Sequence, residues 1–231
     1  MNFYKNKLGT KNYLKILRKS PKKLSKEFLM KNWGIFSGDK LFFRALKLFE
    51  LLSSIKKIKG DIVEFGIWNG NNLFTLKKLS DYISPQKKII GYDHFKGLQN
   101  PDKKDSFFYK KDLGTYSGDK KLIKFVIKFF KFNNIKIIDN DIMNLDKEMK
   151  HFKKLSFVYI DCDLYLPTLK ILELLSKKMS KGGIFAFDEG NKKKWIGEGK
   201  ALNDFFKKNK RHYKKIYLKK NYQPDVILKK V

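Results

Sequence analysis

Acidic side chains are scarce in this chain, 23 against 53 Lys and Arg, yet they gather at one kind of place. Asp93 ends one short apolar run, Asp139 and Asp141 the next, Asp161 and Asp163 another, and Asp188 and Glu189 the one after. Glu64 stands near the end of the run that precedes them all. If these runs are strands of a parallel sheet, their ends share one edge, where ligands of open α/β sheets bind at the point of reversed strand order. Carboxylates crowded there repel one another and ordinarily hold a cation. One acid at a strand end is explained as a turn former; acids at four or five successive ends are not. Asp93 has the spacing at which a carboxylate accepts hydrogen bonds from both ribose hydroxyls of a nucleoside, while Asp141, or equally Asp139, could reach an adenine amino group.

The first run and its turn read Asp61-Ile62-Val63-Glu64-Phe65-Gly66-Ile67-Trp68-Asn69-Gly70-Asn71-Asn72. Gly66 and Gly70 would let the backbone come close to a ligand. The pattern is not GxGxxG, which argues against a nicotinamide cofactor. Cys162, the single cysteine, excludes an internal disulfide and reads as a small buried residue beside two aspartates. The three histidines do not form a zinc pattern. His94 reads as bonded to its own loop, or as a proton shuttle if it faces the site, and Trp68 and Trp195 read as walls of a pocket.

Alternation of short apolar runs with helical stretches from Gly60 onward predicts βα units and a parallel sheet. Strands are expected at Asp61–Gly66, Lys88–Asp93, Ile135–Asp139, Phe157–Asp161 and Gly183–Asp188. Helices are expected after Gly70, from Lys121 to about Phe132, from near Pro167 to before Gly182, and over Lys200–Lys208. Tyr213–Leu218 and Asp225–Leu228 read as a closing pair that includes an antiparallel strand. Ahead of the sheet, Asp39 is placed to cap a helix whose Phe42, Ala45, Leu46, Phe49 and Leu52 recur at helical spacing. Gly190–Gly199, with Lys192-Lys193-Lys194, reads as a loop over the site. Residues 1–38 form a basic helical extension, with Tyr13, Leu14, Ile16 and Leu17 on one face, and residues 39–231 form the α/β domain. Such an extension packs on its own domain or on a partner subunit, or lies on an anionic membrane.

The net charge of +30 suggests nucleic acid at first sight. Only Arg18, Arg44 and Arg211 are arginines, however, and arginine is the residue of bidentate phosphate and base contacts. Lysine filling solvated faces is therefore the preferred reading of the charge, ahead of a nucleic-acid partner. No apolar run is long enough to span a bilayer and the start has no apolar leader, so a cytoplasmic location is expected.

Five segments, in order, resemble the macrocin O-methyltransferase family, which methylates sugar hydroxyls of macrolide and aminocoumarin antibiotics. They are Gly60–Gly66, Asp93–Leu98, Ile160-Asp161-Cys162-Asp163-Leu164-Tyr165, Gly182–Glu189 and Lys200–Phe205. The resemblance spans about residues 40–210, and Asp161–Tyr165 is its most specific piece. It implies a Rossmann-like fold and S-adenosylmethionine as cofactor. Glu64, Gly66 and Gly70 would line the methionine end and Asp93 would hold the ribose. Asp161, Asp188 and Glu189 would bind Mg²⁺, with Asp161 also the general base. The acceptor would be a sugar-type small molecule. Two positions depart from the family: Glu189 replaces an aspartate, and Asn71-Asn72 stands where a small residue and serine are usual. A nucleic-acid methyltransferase and a non-catalytic nucleoside-binding scaffold are the competing readings, and a homo-oligomer is compatible with either.

Overall fold

A computed structural model describes residues 18–19, 24–105, 112–191, 195–218 and 222–231. The expected face of Tyr13–Leu17 and the lysines 192–194 lie outside these residues. Two short helices, α1 (Lys26–Lys31) and α2 (Trp33–Phe36), lead into α3 (Gly38–Ser54). Alternation then follows: β1 (Asp61–Phe65), α4 (Asn71–Ile83), β2 (Ile89–Asp93), α5 (Lys120–Phe129) and β3 (Ile135–Asp139). A kinked 3₁₀ stretch, Ile142–His151, precedes β4 (Leu155–Ile160), α6 (Tyr165–Leu175), β5 (Met179–Phe187), α7 (Ile196–Asn209), β6 (Tyr213–Tyr217) and β7 (Val226–Lys230).

The seven strands form one sheet in the order β3-β2-β1-β4-β5-β7-β6. β1 to β5 run parallel, and β7 runs antiparallel to both of its neighbours. The order reverses between β1 and β4. Side chains alternate along β1: Ile62 joins the cluster under α3, α4 and α5, whereas Val63 and Phe65 join the cluster under α6 and α7. Parallel strands covered on both faces read as continuous apolar runs, and β4 is buried at all six positions.

The expected strand positions agree with the structure to within a few residues. Three expectations for the helices do not. Asp39 is not a cap; it lies in the first turn of α3, behind Ser37. The buried stripe of α3 is Leu48, Leu51 and Leu52, and Phe42, Leu46 and Phe49 are exposed. The apolar arc of this helix is wider than the stripe it buries, so hydrophobic spacing cannot choose the inner face within that arc. The helix expected from Lys200 begins at Ile196, which turns half of the supposed Gly190–Gly199 loop into a buried first turn.

Candidate functional site

Strand register brings the acids into line. Phe65 pairs with Tyr92 and Ile160, and Ile160 pairs with Phe187, so these four share one row across the sheet. The next residue of each strand is Asp93, Gly66, Asp161 and Asp188. Backbone bonds carry the ladder one step further: Gly66 N–H to Tyr92 O at 3.0 Å, Asp161 N–H to Phe65 O at 3.0 Å and Asp188 N–H to Ile160 O at 2.9 Å. Three carboxylates and one glycine thus occupy adjacent positions at the switch point, where a cavity of about 480 Å³ opens. Asp93, Asp141, Asp161, Asp188, Glu189 and Gly66 all line it.

Glu64 and Gly70 do not line the cavity. Glu64 is buried, with Oε1 accepting from Asn72 Nδ2 at 3.0 Å and Oε2 without a partner among the described residues. That bond gives Asn72, one of the departures from the family pattern, a role. Gly70 is the left-handed residue ahead of α4, and a Cβ there would meet the rings and chains of Phe74 and Ile123. The left-handed φ of +83° and this packing each favour glycine there. Asp139 pairs with Lys120 on the surface and is not part of the cavity, so Asp141 is the acid of that loop which reaches it.

Gly66 is required by its neighbour. Its φ is +80°, and a Cβ would stand 1.9 Å from the Asp161 carbonyl oxygen. Gly66→Ala must therefore prise β1 from β4 at the cavity floor. We expect a loss of about 3 kcal/mol or more, from backbone overlap plus the left-handed conformation, read as a lower urea midpoint. An unchanged midpoint would contradict the close approach.

Asp93 clasps the loops on either side. Oδ2 accepts Trp68 N–H at 2.9 Å and Oδ1 accepts Phe95 N–H at 2.7 Å. Both loop residues have positive φ, 46° and 61°. Each carboxylate oxygen keeps lone-pair capacity for a ligand hydroxyl. Asp141 caps the 3₁₀ stretch through Met143 N–H at 2.8 Å. His94 accepts from Lys96 N–H at 3.0 Å, a bond within its own loop. At the mouth, Tyr116 contacts Trp68 and Trp195 edge-on, with centroids 6.3 and 6.1 Å apart.

Four further residues complete the site. Arg44 continues the buried stripe of α3 one turn beyond Leu48, where the helix passes the sheet edge, and there an apolar side chain gives way to a cation. Its Nη2 lies 3.1 Å from Asp188 Oδ1. Tyr159, fully buried, donates its hydroxyl to the same oxygen. Arg44 also donates to Gln223 Oε1, and Gln223 Nε2 donates to Glu189 Oε1 at 2.6 Å. Glu198, the fourth, is fully buried and accepts from Glu189 N–H at 2.8 Å and from Cys162 and Asp163 N–H at 3.3 Å. It joins the loops after β4 and β5, and Asp163 between them sits at φ 60°. The rarity of arginine was the available signal for Arg44; nothing local marks Glu198.

The electrostatics follow from this crowding. Burial, then Asp188 and Asp163, push the Asp161 carboxyl well above the usual carboxylate range, while Arg44 opposes them. Burial and then Asp163 raise Glu198 in the same way. Burial pushes Glu64 up to about 8, against its Asn72 bond and Arg44. For Arg44 itself burial works against the charge, but Tyr159, Asp188, Asp161 and Glu64 together outweigh it and raise its pKa.

Comparison with known proteins now decides the family. The model of the macrocin O-methyltransferase (TylF) family matches residues 46–216. The chain belongs to that family. It is an S-adenosylmethionine-dependent O-methyltransferase, with the Rossmann-like fold of the group. No curated protein sequence matches it significantly. Among solved structures, this methyltransferase resembles CalS11, a calicheamicin methyltransferase, at 22% identity and a TM-score of 0.77, over 95% of this chain and 90% of the other. An apo structure of CalS11, described as a TDP-rhamnose 3'-O-methyltransferase, gives 23% identity and 0.72 over 95% and 92%. The O-methyltransferase NovP gives 15% and 0.67 over 85% and 81%. At these identities the likeness concerns the fold.

The methyltransferase has the donor chemistry for a hard dication: Asp161, Asp188 and Glu189 offer oxygen alone, and Asp161 carries no side-chain hydrogen bond among the described residues. As they stand, Tyr159, Arg44 and Gln223 hold Asp188 and Glu189, and no three acid, His or Cys side chains of the described residues are gathered round one point. Among the described residues no helix is long and apolar enough to cross a membrane.

Proposed function

We propose that this methyltransferase transfers the methyl group to a hydroxyl of a sugar, nucleotide sugar or glycosylated small molecule, assisted by Mg²⁺. The observation that carries the reading is the row Asp93, Gly66, Asp161, Asp188 on one cavity, with the nucleoside position at one end and the carboxylate cluster at the other. The CalS11 description as a TDP-rhamnose methyltransferase supports the acceptor class. The aromatic mouth of Trp68, Tyr116 and Trp195 offers apolar faces on which a sugar ring can stack.

In this reading residues 39–231 carry the reaction, in the cytoplasm, and residues 1–38 are a basic extension. S-adenosylmethionine supplies an already activated methyl when bound. Gly66 leaves room for it, Asp93 accepts its ribose hydroxyls, Asp141 faces its base, and Glu64, whose Oε2 has no partner among the described residues, lies toward its amino acid end. The protein must then hold the acceptor oxygen in line at about 3–3.5 Å. Asp161, Asp188 and Glu189 would hold Mg²⁺, which would lower the pKa of a chelating hydroxyl. Asp161 takes the hydroxyl proton; burial and then the neighbouring acids raise its pKa, and Arg44 works against them to favour the ionised form that can act as a base.

Calorimetric titration tests the cofactor end. Wild type should bind S-adenosylmethionine, and Asp93→Ala should weaken binding at least tenfold, since it removes two charge-assisted bonds and frees both loops. Labelled S-adenosylmethionine with TDP-deoxysugars, with and without EDTA, tests the rest. Label should reach the sugar, and EDTA should stop transfer in a way that Mg²⁺ restores. Label transfer to RNA but to no sugar, or full turnover in EDTA, would refute the acceptor or the metal respectively.

A further inference from the structure

Helix α5 has an outer face that the reaction does not use. Its inner side packs Ile123, fully buried, and Ile127 against the sheet. Opposite, Phe125, Phe129 and Phe130 are 62%, 66% and 60% exposed, and Leu122 is exposed beside them. The rings form a continuous ladder: centroids lie 5.7 Å apart from Phe125 to Phe129, 5.1 Å to Phe130, 5.5 Å on to Phe132, and 6.2 Å from there to Phe74. A soluble surface gains nothing from such a patch unless something covers it.

What covers it is constrained by charge. At 100° per residue, Lys121, Lys124 and Lys128 form a strip along one side of the exposed arc, while Leu122, Phe125 and Phe129 form the other. All three lysines are exposed, and no acid occurs from Lys120 to Ile138. A second copy of the chain pairing face to face about a two-fold axis would bring lysine strips together if the helices ran antiparallel, and would in either direction supply no acid to meet the lysines, which disfavours self-association. Single-stranded RNA could stack on the rings, but the segment has no arginine for its phosphates. An anionic bilayer satisfies both strips: rings settle at headgroup depth, lysine stems lie along the apolar layer, and ammonium groups meet phosphate.

We propose that the outer arc of α5 docks on an anionic lipid surface, with Phe125, Phe129 and Phe130 entering the interface and Lys121, Lys124 and Lys128 engaging the headgroups. The first turn of this helix adjoins the cavity: Asp119 N–H donates to Asn69 Oδ1 at 2.8 Å, and Gly118 lies against the backbone of Trp68 in the cavity wall. Docking would therefore set the site beside the membrane. The inference does not depend on which acceptor is methylated.

The test is co-sedimentation of the full chain with phosphatidylglycerol-containing vesicles and with pure phosphatidylcholine vesicles at about 0.1 M salt, a Debye length of about 10 Å. Binding should be at least tenfold stronger to the anionic vesicles and should fall as salt rises. The double change Phe125→Ser/Phe129→Ser and the triple change Lys121→Glu/Lys124→Glu/Lys128→Glu should each weaken it at least tenfold, with cofactor binding unaltered. These side chains are exposed, so both variants should keep the wild-type circular dichroism. Absence of binding by wild type, equal binding by the variants, or a phenylalanine variant that changes only the oligomeric state would overturn the proposal. So would RNA binding that the lysine variant alone abolishes while vesicles are ignored.

Discussion

Asp161→Asn is expected to lower kcat by about 10³-fold, within the usual range for loss of a general base, while the Kd for S-adenosylmethionine changes less than threefold. The same substitution should make the protein more stable at pH 8. Asparagine keeps the shape of the side chain but cannot ionise, at a position where burial and then Asp188, Asp163 and Glu198 push the carboxyl pKa up. A carboxyl with its folded pKa raised costs nothing below its unfolded pKa and costs progressively more as pH rises through the folded one. The gain in stability should therefore be large at pH 8, smaller at pH 5, and absent only below the unfolded pKa of about 3.9. A dead enzyme that melts higher is the signature of a charge kept for chemistry at the expense of stability. Single-turnover transfer and melting at the two pH values measure both halves. A kcat within threefold of wild type would sink the catalytic assignment; a lower melting temperature at pH 8 would sink the electrostatic one.

The parts of the molecule that were legible in sequence are those where one physical cause acts alone. Strands β1 to β5 were readable because burial on both faces leaves short apolar runs, and their ends because an acid follows each run. The register that sets Asp93, Gly66, Asp161 and Asp188 in one row needed only the parallel sheet to be right. Helix α3 was misread where two causes compete. Leu41, Phe42, Phe43, Leu46 and Phe49 are as apolar as Leu48, Leu51 and Leu52, and the true inner face is the one that carries an arginine. Glu198 was out of reach for a different reason. It lies between two glycines in a segment rich in lysine, and its value comes from three backbone N–H groups of the loops after β4 and β5, 9, 35 and 36 residues away in sequence. No local pattern encodes such a partner.

Arg44→Gln tests whether the cation of α3 holds the carboxylate cluster together. Its guanidinium faces Asp188 directly and lowers the pKa of both Asp161 and Glu64. Glutamine can still bond Gln223 but leaves Asp188 with Tyr159 and no positive charge from this helix. Breaking a buried pair by removing one partner typically costs about 3–5 kcal/mol, and here the cost must depend on pH. Without Arg44 the folded pKa values of Glu64, already near 8, and of Asp161 rise further from their unfolded values. Stability is then lost as pH climbs through values higher than in wild type, so the variant's deficit should be larger at pH 8 than at pH 5, where both carboxyls keep their protons in either folded protein. Urea midpoints at the two pH values read this directly. Adding Glu64→Gln should recover part of the loss at pH 8 and none at pH 5, because it removes one of the charges that Arg44 offsets. Activity should fall as well, with its optimum moved to higher pH, since a base of higher pKa needs more alkaline conditions to be ionised. A loss that is the same at pH 5 and pH 8 would mean that Arg44 contributes packing and hydrogen bonds to the helix–sheet joint, and that the carboxylates are balanced by something other than this residue.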